Sequence, residues 1–178
     1  MPDTDALLRN ALDAVWGPLD PPAEGWGPDG ERLVRRQLLD AASLELNRAM
    51  PSISDRSQAL GLAGVVADLS TYLDRGFKFL PGEVRKTPGL SDLSVEAANG
   101  LLQRHLAGDW GDVTDDDRKA NEVALAGGGR LLSVYKDVHD GAAFWTKVWV
   151  MTDADAFQDE GSLNRMRMNT LLMLPSEY

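Results

Sequence analysis

The chain of 178 residues has no cysteine, only two histidines and few aromatics, 7% of the total. Without cysteine there is no disulfide framework, no thiolate zinc site and no cysteine nucleophile. Long apolar runs are also missing. The stretch from Gly61 to Ala67 is among the longest, far below the roughly 20 residues of a membrane-spanning helix. The start, Met1-Pro2-Asp3-Thr4-Asp5, carries acid where a secretory leader has basic residues. These features make the cytoplasm the expected compartment. Positive charge is scarce as well: 18 Lys and Arg face 28 Asp and Glu, a net charge of −10. Such a field repels nucleic acid and anionic membranes, so neither is an expected direct partner.

What remains is an apolar fraction of 43% with five tryptophans, enough for a packed core and too much for a disordered acidic tail. Helical spacing runs from Asp5 to Trp16, with Leu8, Leu12 and Trp16 on one face. The stretch Gly17 to Gly30 is crowded with glycine and proline and reads as an irregular loop, pinned by Trp26. A second helix is expected from Gly30 to Met50, capped by Asp29, with Val34, Leu38, Ala41, Ala42 and Leu46 as its apolar stripe. A third is expected from Asp55 to Asp74, ending at Gly76. Gly61 and Gly64 inside it would let the second helix approach closely. Phe77 to Leu80 reads as a short strand and Pro81 to Gly89 as a turn-rich connection. The domain boundary therefore falls there, giving a helical subdomain 1–85 and an α+β domain 86–178.

In the second half, Ser94 caps an expected helix to His105, and Thr114 with Asp117 has capping-box spacing for another through Ala126. The period then changes. Leu131 to Lys136, Phe144 to Thr152 and Thr170 to Leu174 are rich in β-branched and aromatic residues. The expected fold class is α+β: N-terminal helices, then helices packed on a three-stranded antiparallel sheet with the middle run as its central strand.

Several segments of this half resemble a family of small uncharacterised bacterial proteins described as plasmid-related or phage-borne. They are Thr87-Pro88-Gly89, Leu101 to His105, Gly108 to Asp112, Ala120-Asn121-Glu122, Gly128 to Tyr135, Lys147 to Asp155 and Thr170 to Tyr178. The resemblance spans about residues 86–178 and implies an origin on a mobile element, without a known activity or catalytic set. The N-terminal 85 residues and an insertion, Ala156 to Met168, depart from that pattern.

Residues 105–160 carry twelve acids against five Lys and Arg. Asp109, Asp112, Asp115, Asp116, Asp153, Asp155, Asp159 and Glu160 are the candidate contacts to a basic surface of another protein. Asp115 to Asp117 also suit the first turn of a helix, where acid stabilises the dipole. Asp153, Asp155 and Asp159 begin like a calcium loop, but Phe157 and Gln158 occupy the positions that need an acid and a glycine. No metal or cofactor is expected. His105 and His139 lack metal-ligand spacing; His105 reads as a helix C-terminal residue favoured by the dipole. Trp110, Trp145 and Trp149 are expected in or near the core.

These readings make the chain an acidic, non-enzymatic protein-binding module that modulates a nucleic-acid-acting host system. One alternative is a small ribonuclease toxin of the barnase/RelE type. There His139 would move a proton while Arg130 and Lys147, helped by Lys136, Arg165 and Arg167, neutralise phosphate. Another is a self-associating structural protein, a homodimer in the simplest case.

Overall fold

A computed structural model describes residues 3–17, 19–25, 27, 29–154, 167 and 169–178. The chain divides into two compact units, 1–76 and 77–178. The break after Gly76 precedes the expected boundary, because residues 77–85 belong to the second unit.

The first unit holds three helices, α1 (Thr4–Trp16), α2 (Gly30–Ala49) and α3 (Arg56–Arg75). Asp3 caps α1 by accepting from the amides of Asp5 and Ala6, and Asp55 caps α3 in the same way. Asp29 makes no such bond and pairs instead with Arg32 at 2.8 Å. Helices α2 and α3 form an antiparallel hairpin, since Arg36 near the start of α2 reaches Ser70 and Asp74 near the end of α3. The buried stripe of α2 is Leu39, Ala42 and Leu46, whereas Leu38 and Ala41 are exposed. The reason is that α2 packs against both α1 and α3, and the two contacts together select Leu39 over Leu38. Gly61 and Gly64 lie on the exposed side of α3, where a Cβ would meet nothing. The interhelical approach therefore does not depend on them.

The second unit contains β1 (Glu83–Lys86), α4 (Val95–Leu106), α5 (Asp115–Gly127), β2 (Leu131–Asp140), β3 (Ala143–Thr152) and β4 (Asn169–Met173). The fold class is α+β as expected, but the sheet has four strands in the order β1-β4-β3-β2. Strand β1 runs parallel to β4, and the other pairings are antiparallel. It was hidden in the sequence because all four of its residues are exposed, leaving no alternation to detect. Phe77 and Phe79 are buried, yet that stretch is no strand. The hairpin between β2 and β3 turns at Gly141-Ala142, with Gly141 at φ 59°.

Burial alternates along the strands. Leu131, Ser133 and Tyr135 of β2, Val148, Val150 and Thr152 of β3, and Thr170 and Leu172 of β4 are buried on one side. There they meet Leu101 and His105 of α4 together with Leu90 and Leu93. Leu132, Val134, Trp149, Met151 and Leu171 point to the far side and are half-buried.

The outer edge of β2 is closed by other parts of the unit. Asn121 donates to the Leu132 carbonyl at 2.7 Å and accepts from its amide at 3.0 Å. The Val134 amide donates to Trp110 at 3.0 Å, and its carbonyl accepts from Asp112 at 2.7 Å. Gly111 sits between these two bonds at φ 67°, where a Cβ would lie 2.2 Å from the Val134 carbonyl oxygen. Only glycine fits both the backbone angle and the gap. On the opposite edge, Glu83, Arg85 and Lys86 place charge along β1, which discourages strand addition.

Candidate functional site

The second unit closes around His105. Its imidazole is fully buried, with edge contacts to Phe79 at 5.3 Å and Trp110 at 5.6 Å. Nδ1 lies 2.6 Å from Ser133 Oγ, and Nε2 lies 2.8 Å from Thr152 Oγ1. Thr152 Oγ1 is in turn 2.7 Å from Thr170 Oγ1, and Thr170 donates to the Pro81 carbonyl at 2.7 Å.

Hydroxyls carry one proton each, so the chain of bonds fixes its own directions. Thr170 spends its proton on Pro81, so Thr152 must donate to Thr170. His105 Nε2–H must then donate to Thr152, which leaves Nδ1 to accept from Ser133. This is neutral imidazole with every polar atom satisfied. Burial, reinforced by the Arg167 charge, pushes its pKa down to about 3. The expected dipole-stabilised cation at a helix end is thus corrected. Desolvation outweighs an effect of roughly 0.3–1 kcal/mol. A closed, neutral and saturated imidazole is a structural group and has no access to a substrate.

The other histidine is exposed near the β2–β3 turn, its ring 4.7 Å from Phe144. Lys147 stands opposite Lys136 in the β2–β3 register. Arg130 immediately precedes β2, six residues before Lys136 and about 20 Å away. Arg130 is taken up by Asp153 at 3.9 Å and the Tyr178 hydroxyl at 3.2 Å. His139, Lys147 and Arg130 therefore do not converge. Arg167, counted among the phosphate-neutralising residues, is buried beneath carbonyls of Gly129, Ala124 and Asp153 and near the Phe79 ring. It is a tether for three backbone segments. Arg165 lies outside the described residues.

The candidate acids scatter in the same manner. Asp109 pairs with Arg104 at 2.6 Å, and this bond holds its carboxyl below the usual range. Asp112 accepts from the Lys136 amide at 3.1 Å and faces that lysine's ammonium at 3.9 Å. Asp117 takes the Thr114 hydroxyl at 2.7 Å while Thr114 caps the helix, so the pair is a local cap. Asp153 is held by Arg130. Asp115 and Asp116 stay exposed in the first turn of α5, with only Lys119 near Asp116 at 3.7 Å. Asp155, Asp159 and Glu160 lie outside the described residues, so the calcium-like loop is represented by Asp153 alone. No group of three or more His, Asp or Glu able to hold a metal ion occurs among the described residues.

Compared with protein-family models, curated proteins and solved structures, the chain finds no match.

A half-open cleft of about 230 Å³ lies between α2 and α3 in the first unit. Its floor includes Leu39, Leu46 and Val66, and Asp40 is its only ionisable lining group. The cleft's hydroxyls are used within the fold, Ser43 donating to the Leu39 carbonyl and Ser70 accepting from Arg36, and neither is shown bonded to Asp40, so the lining does not form a nucleophile–base pair. No helix among the described residues is long and apolar enough to cross a membrane.

Two side chains escaped the sequence reading. Asn121 is buried and pairs with both backbone groups of Leu132. Glu177 accepts from the Thr87 hydroxyl at 2.5 Å and from the amides of Gly89 and Leu174 at 2.9 and 3.0 Å. These bonds fasten the last turn, Pro175–Glu177, to the turn Pro88–Leu90. Their partners lie up to 90 positions away, so no local pattern announces them.

Proposed function

We propose that this chain is a non-enzymatic protein-binding module whose acidic helix α5 docks on a basic surface of another protein. One observation carries the reading: α5 is anchored by one narrow face and leaves the rest of its surface open. Only Asn121 and Leu125 of the helix are buried, residues 115–120 are all exposed, and Val123 is 74% exposed. Asp115 and Asp116 project from its first turn, and an apolar contact at Val123 lies two turns further along. Acid beside an exposed aliphatic side chain suits a basic partner that also offers apolar contact.

The sequence resemblance extends this proposal to a mobile-element protein that competes with nucleic acid for a basic surface of a host system. Of the eight candidate carboxylates, Asp115 and Asp116 carry the docking, because Asp109, Asp112 and Asp153 are engaged within the fold.

The test is capture from cell extract at low salt, comparing the native chain with Asp115→Lys/Asp116→Lys. The native chain should retain a basic protein that elutes as salt rises, and the double variant should lose it. Retention of the same protein by the charge-reversed variant, or of none by the native chain, overturns the proposal.

A further inference from the structure

The three helices of the first unit leave one groove open. Helix α1 packs on both α2 and α3, yet none of its residues lines the cleft between those two. The lining runs from Leu39 to Asn47 on α2 and from Ala63 to Ser70 on α3. At 1.5 Å per residue that is about 12 Å along one helix and about 10 Å along the other. The cleft thus follows two turns of each helix. Its volume of about 230 Å³ lies below the roughly 300–1,000 Å³ of a small-molecule site.

Leu39, Leu46 and Val66 are buried and give the groove an apolar floor. Ala63 and Ala67 keep the α3 wall low, and a Cβ on the neighbouring Gly64 would meet nothing. Larger apolar side chains stand open beside this trough. Leu44, one turn after Asp40 on α2, is 51% exposed, and Leu60, one turn before Ala63 on α3, is 60% exposed. Asp40 supplies the charge of the groove. No hydrogen bond or ion pair reaches it among the described residues. Arg36, one turn earlier on α2, is bonded to Ser70 and Asp74 instead.

We infer that this groove receives an amphipathic helix of another protein, with a lysine or arginine beside its apolar stripe. Anchors at i, i+3 or i+4, and i+7 of a helix span about 10.5 Å, the length of the trough. They would lie over Leu39, Leu46 and Val66, with Leu44 and Leu60 closing on their sides. The low α3 wall permits the approach of about 8–10 Å between axes that packed helices need. The incoming helix takes the fourth place in a bundle of which this unit supplies three. Asp40 selects the partner's charge, because covering a carboxylate with an apolar helix is costly unless a cation meets it. A second copy of the chain fits less well. Residues 1–76 carry twelve acids against seven arginines, so two such units repel. The groove shares no residue with the contacts proposed for α5, and each proposal stands without the other.

Fluorescence anisotropy of a labelled synthetic helix tests this on the full chain. The peptide places leucine at i, i+3, i+4 and i+7, lysine beside that stripe and glutamine elsewhere. A second peptide carries glutamate for lysine, and a third scrambles the first. Saturable binding of the lysine peptide is expected, with the other two about tenfold weaker or more. Leu44→Glu/Leu60→Glu should weaken it about tenfold or more, although the chain becomes more acidic. Attraction by net charge alone would do the opposite. Asp40→Asn should cost about threefold, and Asp115→Lys/Asp116→Lys should leave affinity within about twofold. All these positions are exposed, and circular dichroism confirms that each variant folds. The inference fails if the lysine peptide does not bind, or if the glutamate or scrambled peptide matches it. It fails too if Leu44→Glu/Leu60→Glu keeps its affinity or the α5 variant loses it. A native dimer that Leu44→Glu/Leu60→Glu turns into a monomer, seen by sedimentation, would assign the groove to a second copy and overturn the inference.

Discussion

Each hydroxyl in the His105 cluster has one proton and one assigned acceptor, so the imidazole is locked as the Nε2–H tautomer. Truncating the ring would strand Ser133 and Thr152 in a dry core and open a cavity. His105→Ala should therefore destabilise the second unit by about 3 kcal/mol, read as a lowered unfolding midpoint in urea. In nitrogen-15 spectra the native ring should show the Nε2–H tautomer and resist titration until the unit unfolds. A ring titrating near its ordinary pKa in the folded protein would refute the closed arrangement. The sequence revealed a histidine near the end of a helix and nothing of Ser133, Thr152 or Thr170. Those partners lie 28 and 47 residues from His105 or, for Thr170, one bond further on.

At the scale of elements, caps are local chemistry, and most were legible. Ser94 and Thr114 begin helices where short polar side chains precede an apolar period. The stripe of α2 was misplaced by one position because its amphipathic pattern is broad. Two neighbouring helices, rather than the pattern, chose the buried side. Strand β1 was missed because it is an edge without a buried face, held by backbone bonds to a strand more than 80 residues away.

The glycines of α3 provide a test at this scale. Gly61 and Gly64 have open space around the missing Cβ and ordinary helical backbone, so alanine fits without strain. Gly61→Ala and Gly64→Ala should each stabilise the first unit by about 0.5–1 kcal/mol, measured by thermal unfolding. Destabilisation by either would mean that the exposed side of α3 is packed against something.

Across the whole molecule, acid pH should act on the second unit before carboxylates alone would explain it. His105 has a folded pKa of about 3 and an ordinary unfolded value of 6.5. Between these values the unfolded chain binds the extra proton, so the stability is complete above pH 6.5. It declines as pH falls, by up to about 1.4 kcal/mol per unit. Asp109, Asp140 and Glu177 are held below their usual range by hydrogen bonds. Their contribution disappears lower, as pH falls through the carboxylate range. Urea midpoints measured from pH 7 to pH 4 should fall steadily for the native chain and more gently for His105→Gln. A flat native profile over pH 5–6.5 would contradict the assignment.

By itself the sequence determined what rests on composition and near neighbours. These are the excess of acid, the absence of thiol chemistry, the helix starts and the α+β class, because each depends on residues within a few positions of one another. Tertiary structure decided everything that depends on distant pairing. It made His105 a neutral core group, divided the carboxylates between internal bonds and the open side of α5, and gave Lys136, Arg130 and Arg167 partners within the fold. A charge shows in the sequence, but whether it meets a partner, water or its own kind is settled only when strands far apart in the chain lie side by side.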